Sequence, residues 1–467
     1  MPQEERPHTL GELKKSGYQV LPIREEMQRN LIRKMSAGEA LFAGIIGYGD
    51  TVIPQLENAI LAGQDIVLLG ERGQAKTRLL RGLIQLLDEY TPIIEGVEIP
   101  ENPYDPISAQ ARALVAEQGD DTPISWLHRD QRYGEKLATP DITVADLIGE
   151  VDPIKVAEGR YLSDELTLHY GLIPKTNRGI FAINELPDLA ERIQVGLLNI
   201  MEERDIQIRG HKVRLPLDLL VVATANPEDY TNRGRIITPL KDRFGSQIRT
   251  HYPIDRDDEV RIMEQEYKQA SVEGYSLQVP EYMKQIVVEV SQTARKSPDI
   301  SQRSGVSVRA SIANYENLIA NALRRAIRLK DNTIVPRISD LPFLVPALAG
   351  KIEFEVLEED QEDLILQQLF ENAVKQTFEN YFSLEELEPF VEAFNSDTTI
   401  DTGEALHSGF YEDVIGQIPG LGEAVTQLTS SENLALRASA VEFILEGLYV
   451  NNRLSKDAMQ GQFVYRA

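Results

Sequence analysis

The 467-residue chain contains no cysteine, so disulfides, thiolate metal sites and cysteine nucleophiles are excluded at once. Histidine is scarce. His8, His128, His169, His211, His251 and His407 are scattered, and no two stand four residues apart, the spacing that sets a metal-binding pair on one helical face. Basic residues are in deficit, 48 Lys and Arg against 74 Asp and Glu, a formal charge of -26. A nucleic-acid binder needs clustered cations to meet phosphates, so that class is not expected. The acidity reads as ordinary solubility, or as attraction for a basic partner or a pool of cations. Long apolar runs are missing too: LPFLVPALAG falls well short of the roughly 20 residues that span a bilayer. The charged opening MPQEERPHTLGELKK lacks the apolar core of a signal peptide. No membrane span and a cytoplasmic location are therefore the expectations. Neither repeats nor low-complexity tracts are present.

What the chain does contain is alternation. Its length predicts two to four domains. Residues 1–50 read as an entry segment of short helices. From 51 to 253 helices and strands alternate: TVIPQLENAILAG (helix), DIVLLG (strand), TRLLRGLIQLLDEY with Leu79, Leu80, Leu83 and Leu87 on one stripe (helix), GIFAIN (strand), LPDLAERIQVGLLNIMEER (helix) and LDLLVVATAN (strand). Short apolar strands between helices predict a parallel sheet covered on both faces. Beyond 253 the β-runs stop. Residues 254–350 read as helical, with EYMKQIVVEVSQTA and VRASIANYENLIANALRRAI the clearest segments. Residues 351–467 read as an acidic, mostly helical region, a solvated face or a docking surface for a basic partner, with NSDTTIDTGEA as a linker.

The chemistry concentrates in GERGQAKT, between the strand IVLL and the following helix. It follows the phosphate-loop template G-x-x-x-x-G-K-[ST] in the strand–loop–helix setting that template needs. Backbone N–H groups of Gly70, Glu71, Arg72, Gly73, Gln74, Ala75, Lys76, Thr77 and Arg78 are the candidates to cradle phosphate oxygens. The Lys76 ammonium would reach the terminal phosphates, and the Thr77 hydroxyl would ligate magnesium. Ala75 stands where the template has its second glycine and resists a positive φ; Gly73 is expected to carry part of the turn.

The strand GIFAIN ends in Asn184 and Glu185. In phosphate-loop ATPases this slot holds an Asp beneath magnesium and a Glu that polarises the attacking water, so Glu185 is the candidate base. The metal candidates are Thr77, Asn184 and Glu185. Asn184 brings no negative charge, which predicts weaker magnesium binding and slow turnover. The next strand ends in Thr224 and Asn226, placed to orient a water beside the last phosphate, or simply to turn the chain before Pro227. DIQIRGHKVRLP carries the alternation of a β-hairpin. Arg243, in LKDRFGSQIRTHYP, is either a finger toward a neighbouring subunit's phosphate or the partner of Asp242 or a helix end. Arg309, opening a later helix, is either a second phosphate sensor or a surface arginine. Arg233 and Arg235 are weaker candidates for contacts between subunits.

The order of these elements resembles a known family. GYGDTVIPQLENAILAGQDIVLLGERGQAKT, LIPKTNRGIFAINELPDL, VVATANPEDY, LKDRFGSQIRTHYP and LEGLYVNNRLSK look like the AAA+ subunit of magnesium chelatases and its MoxR-branch relatives, well over residues 40–350 and loosely beyond. The resemblance implies a P-loop αβα sandwich with a parallel sheet and a helical lid, assembled as a hexameric ring with ATP and magnesium between subunits. It implies nucleotide and magnesium at Lys76 and Thr77, catalysis at Glu185, a first sensor at Asn226, a finger at Arg243 and a second sensor at Arg309. It also implies hairpins at about Asp152–Gly171 and Asp205–Leu215. Relatives work with a partner bearing a von Willebrand A domain. This sequence has no D-x-S-x-S segment, so a separate partner is expected. The implied function is a ring motor in metal insertion or complex maturation. The rivals are a nucleotide-gated scaffold with little hydrolysis, and a σ54-type transcription activator, for which GAFTGA is missing from the sequence.

Overall fold

The computed structural model describes residues 6–151, 167–203, 215–226, 235–268, 272–301, 305–355, 359–385, 387–394, 399–459 and 462–466. They divide into two units, up to His251 and from Tyr252 on. Five strands form the sheet of the first unit: β1 (Ile66–Leu69), β2 (Tyr133–Leu137), β3 (Gly179–Asn184), β4 (Leu219–Ala225) and β5 (Ser246–Arg249). Their order is β2-β3-β4-β1-β5, and every neighbouring pair is parallel.

The apolar runs of β1, β3 and β4 follow from that arrangement, because a parallel strand is buried on both faces. Alternate side chains serve two separate cores. Ile66, Leu68, Ile180, Ala182, Leu220 and Val222 face one, together with Ile23, Met27, Val52, Leu56, Leu79, Leu80 and Leu83 from the covering helices. Val67, Phe181, Ile183, Leu219, Val221 and Ala223 face the other, against Ile193, Leu197 and Ile200 of the Glu191–Glu202 helix. This is the three-layered α/β architecture expected of a phosphate-loop protein.

Beneath the sheet lies a buried ionic network. The Arg132 guanidinium donates to both oxygens of Glu26 at 2.7 Å and to the Arg178 carbonyl at 2.8 Å. Arg178 in turn reaches Thr91 Oγ1 and the Pro92 carbonyl. Burial, and then the charge of Arg132, push the Arg178 guanidinium down to about 10. Its folded value is thus below its unfolded one, so the buried charge opposes folding at neutral pH, and that opposition fades as the pH rises past about 10. Glu26 offsets this positive charge. Glu26→Ala would leave the buried Arg132 without its ion-pair partner, so a loss of about 3–5 kcal/mol is expected, read as a lower denaturant midpoint; an unchanged midpoint would show that the network is neutral to stability.

The second unit is mainly helical, and here three sequence expectations need correction. Glu281–Ala294 and Val308–Leu329 are helices as read. One hydrophobic cluster then runs on through Leu366, Phe378, Tyr411 and Phe443 to Tyr465, so residues beyond 351 share a core with the helices before them. The β-structure does not stop at 253: Ser276–Leu277 pairs with Thr333–Ile334, and Thr399–Gly403, Ser455–Met459 and Gln462–Arg466 form an antiparallel sheet. Within the segment read as a linker, residues 399–403 are therefore a strand, fixed by Ile400 and by backbone pairing to Gln462–Arg466. No helix among the described residues is long and apolar enough to cross a membrane.

Candidate nucleotide site

The carboxyl ends of β1, β3 and β4, neighbours in the sheet, bring together the residues singled out above. The loop after β1 is held from behind. The Glu71 amide and the Thr250 hydroxyl both donate to Gln74 Oε1, at 3.0 and 2.7 Å. The Tyr48 hydroxyl lies 2.9 Å from the Gln74 carbonyl and 2.7 Å from that of His251, while Thr51 Oγ1 meets His251 Nε2 at 2.8 Å. Burial pushes the Tyr48 phenol up to about 12. Raised above its unfolded value, it contributes stability that is whole below pH 10 and is lost as the pH climbs through about 12. Gly70 is needed for space: a Cβ there would collide with Thr250 Oγ1 and Gln74 Oε1.

Gly73 and Ala75 both lie in the left-handed region, φ +76° and +54°. The turn is therefore shared between a glycine, which accepts it freely, and an alanine, which bears a cost of about 1 kcal/mol. Ala75→Gly is expected to raise stability by about 0.5–1 kcal/mol with nucleotide affinity intact. Thermal denaturation checks this; a fall in the midpoint would mean that the methyl group holds the loop.

Lys76 begins the Lys76–Gly82 helix and is buried, 9% exposed. Its ammonium donates to the Gly70 carbonyl, to the Glu71 carbonyl at 2.8 Å and to Asn226 Oδ1 at 2.7 Å. Thr77 Oγ1 lies 3.4 Å from Asn184 Oδ1, which also accepts from Thr224 Oγ1 at 3.3 Å. Thr224 Oγ1 accepts the Glu185 amide at 3.0 Å. Glu185 itself is half-buried with φ +57° and ψ +47°, a left-handed conformation that a side-chain-bearing residue holds only when its surroundings impose it. Asn184 makes one contact the sequence did not announce: its Nδ2 donates to Glu135 Oε1 on β2 at 2.6 Å.

Arg243 ends the Thr238–Arg243 helix and bonds Glu202 Oε2 at 2.5 Å and the Pro239 carbonyl at 3.1 Å. Its ionic partner is thus Glu202 rather than Asp242. Arg72, Arg78 and Arg235 are exposed. Arg309 is exposed in the first turn of the Val308–Leu329 helix in the second unit. Arg233 lies outside the described residues, as do positions 152–166 and 205–214 of the two expected hairpins. The base of the first is present, with Gly149–Val151 antiparallel to Leu168–Tyr170.

Known proteins place this arrangement. The sigma-54 interaction domain family matches residues 157–243. The chloroplastic magnesium-chelatase subunit ChlI-1 of Arabidopsis thaliana is 25% identical over 231 residues, 48% of this chain and 51% of its own length. The chloroplastic subunit ChlI of Oryza sativa subsp. indica is 23% identical over 358 residues, 70% of this chain and 80% of that protein. The chain is similar to the ChlI branch of the AAA+ ATPases. It spans about half the length of the Arabidopsis relative. Among solved structures, a chain of the complex between subunits BchI and BchD of magnesium chelatase shares 18% identity over 69% of this chain and 98% of that one, with a TM-score of 0.35.

Within this AAA+ core the sequence missed Tyr48, Thr250 and His251 behind the loop and Glu135 beside Asn184. Each lies far along the chain from what it touches. The signal that could have directed attention to Glu135 was the missing charge at Asn184.

Proposed function

We propose that this chain binds and hydrolyses ATP as one subunit of a ring and acts on a separate partner protein. The observation that carries this reading is the Lys76 ammonium, buried against Gly70, Glu71 and Asn226 in a loop whose backbone is bent to leave a cradle. The fit is chemical as well: Gly70 lets Thr250 and Gln74 pack against the back of the loop, where a Cβ would collide with them, and Thr77, Asn184 and Glu185 offer the hard oxygen donors that suit magnesium. Bound magnesium, held by Thr77 with Asn184 beneath it, would neutralise charge on the phosphates. Loop amides and Lys76 would bind and orient the triphosphate, Asn226 would position water, and the Glu185 carboxylate would take that water's proton.

Arg243 would complete the site of a neighbouring subunit, and its exposed bond to Glu202 is weak enough to exchange. Arg309 keeps the second-sensor role implied by the resemblance, within a helical lid of residues 254–350. A hexamer, a cytoplasmic location, membership of the MoxR side of the branch and a von Willebrand A partner in metal insertion or complex maturation complete the proposal. Arg243→Ala is the test: ATP binding should persist while phosphate release falls by about 10³-fold or more. Release at the parent rate would reject the finger.

A nucleotide-gated scaffold is the second reading, favoured by the neutral Asn184. A parent protein that binds ATP with magnesium yet releases no phosphate would establish it. The sigma-54 family match covers residues 157–243, and the sequence contains no GAFTGA.

A further inference from the structure

Asn184 occupies a position where a neutral side chain leaves a magnesium site one negative charge short, and the nearest carboxylate comes from the adjacent strand. Strands β2 and β3 are parallel with Leu137 opposite Asn184 and Glu135 opposite Ala182, so Glu135 stands two residues back along the same edge. Its Oε1 accepts from Asn184 Nδ2 at 2.6 Å. A carboxylate only accepts, so it fixes which way the amide faces: nitrogen toward Glu135, oxygen toward the Thr77 and Thr224 hydroxyls. The orientation of Glu135 is fixed in turn. Arg81 bonds it at 2.7 and 2.9 Å and lies four residues after Thr77, on the same face of the helix. The hydrogen bond and then the charge of Glu135 push the Arg81 guanidinium up. Glu135 is 21% exposed and Arg81 62%, so the cation is the more screened of the two.

We propose that Glu135 supplies, through Asn184, the negative charge of the metal site, the pair Glu135–Asn184 standing in for a single aspartate. Glu135 polarises the amide so that Asn184 Oδ1 becomes a stronger acceptor for the Thr77 hydroxyl, and its own charge lies one side chain away from the metal position. Outer partners of this kind typically change metal affinity by about 10- to 100-fold. The inference rests on the reading of the site as one for ATP and magnesium.

The test is binding, not turnover. A fluorescent ATP analogue is titrated into the full chain with magnesium and again with EDTA, and the ratio of the two affinities is the metal advantage. The parent should show a clear advantage. Glu135→Gln should cut it about tenfold or more while leaving the EDTA affinity alone. Asn184→Asp with Glu135→Gln, which moves the charge from one side chain to the other, should restore it. An unchanged advantage in Glu135→Gln, a double variant no better than the single one, a parent indifferent to magnesium, or a Glu135→Gln protein that also loses binding in EDTA each overturns the assignment to Glu135. Failure of the parent to take up the analogue at all would instead overturn the ATP reading beneath it.

Discussion

Lys76→Ala is expected to weaken ATP binding by roughly 100-fold without unfolding the protein. The ammonium is buried among the neutral oxygens of Gly70, Glu71 and Asn226. Burying a charge is costly unless its surroundings compensate it. Removing the group therefore relieves the folded state of a desolvated cation while depriving three acceptors of a donor, two effects that nearly cancel. Binding has no such compensation. A hydrogen bond to a charged group is worth about 1.5–3 kcal/mol, and the upper value corresponds to roughly two decades in affinity. Calorimetric titration with ATP and a parallel thermal melt check both halves. Full affinity in the variant would remove Lys76 from the site; a collapsed melt would make it a structural residue.

Glu185→Gln is expected to separate binding from turnover, with ATP affinity kept and phosphate release reduced by about 10²- to 10⁴-fold. The geometry makes this substitution clean. Residue 185 holds a left-handed backbone, its amide tied to Thr224 Oγ1 at 3.0 Å, and glutamine bears the same backbone cost as glutamate. The proton acceptor is lost, while a neutral oxygen stays in its place. Single-turnover phosphate release gives the answer, and release at the parent rate would assign the base elsewhere.

How much of this could be read in advance depended on where each residue's partners lie. Strands β1, β3 and β4 are continuous apolar runs because both faces are covered, and the loop between β1 and its helix follows a spacing dictated by phosphate geometry. Strand β2 was invisible. YGEKL is polar, sits at the sheet edge, and is a strand because its backbone pairs with β3 and because Gly134 has no Cβ to collide with Thr176. Missing that strand meant missing Glu135. The three-stranded sheet near the end of the chain was lost for a related reason: TIDTG has the composition of a turn, and only pairing with Gln462–Arg466 makes it extended. Ala75 shows the converse. Its preference against positive φ was read correctly, yet the loop imposes φ +54° because Gln74, Thr250 and Tyr48 hold the residue before it.

The claim underlying all the rest is that the Gly70–Thr77 loop receives a triphosphate, and equilibrium binding of ATP to the intact protein tests it most directly. The account predicts saturable uptake, tighter with magnesium than in EDTA, and lost together with the Lys76 ammonium. A protein that takes up neither ATP nor a non-hydrolysable analogue at millimolar concentration, with Lys76 in place and the fold intact, would contradict it.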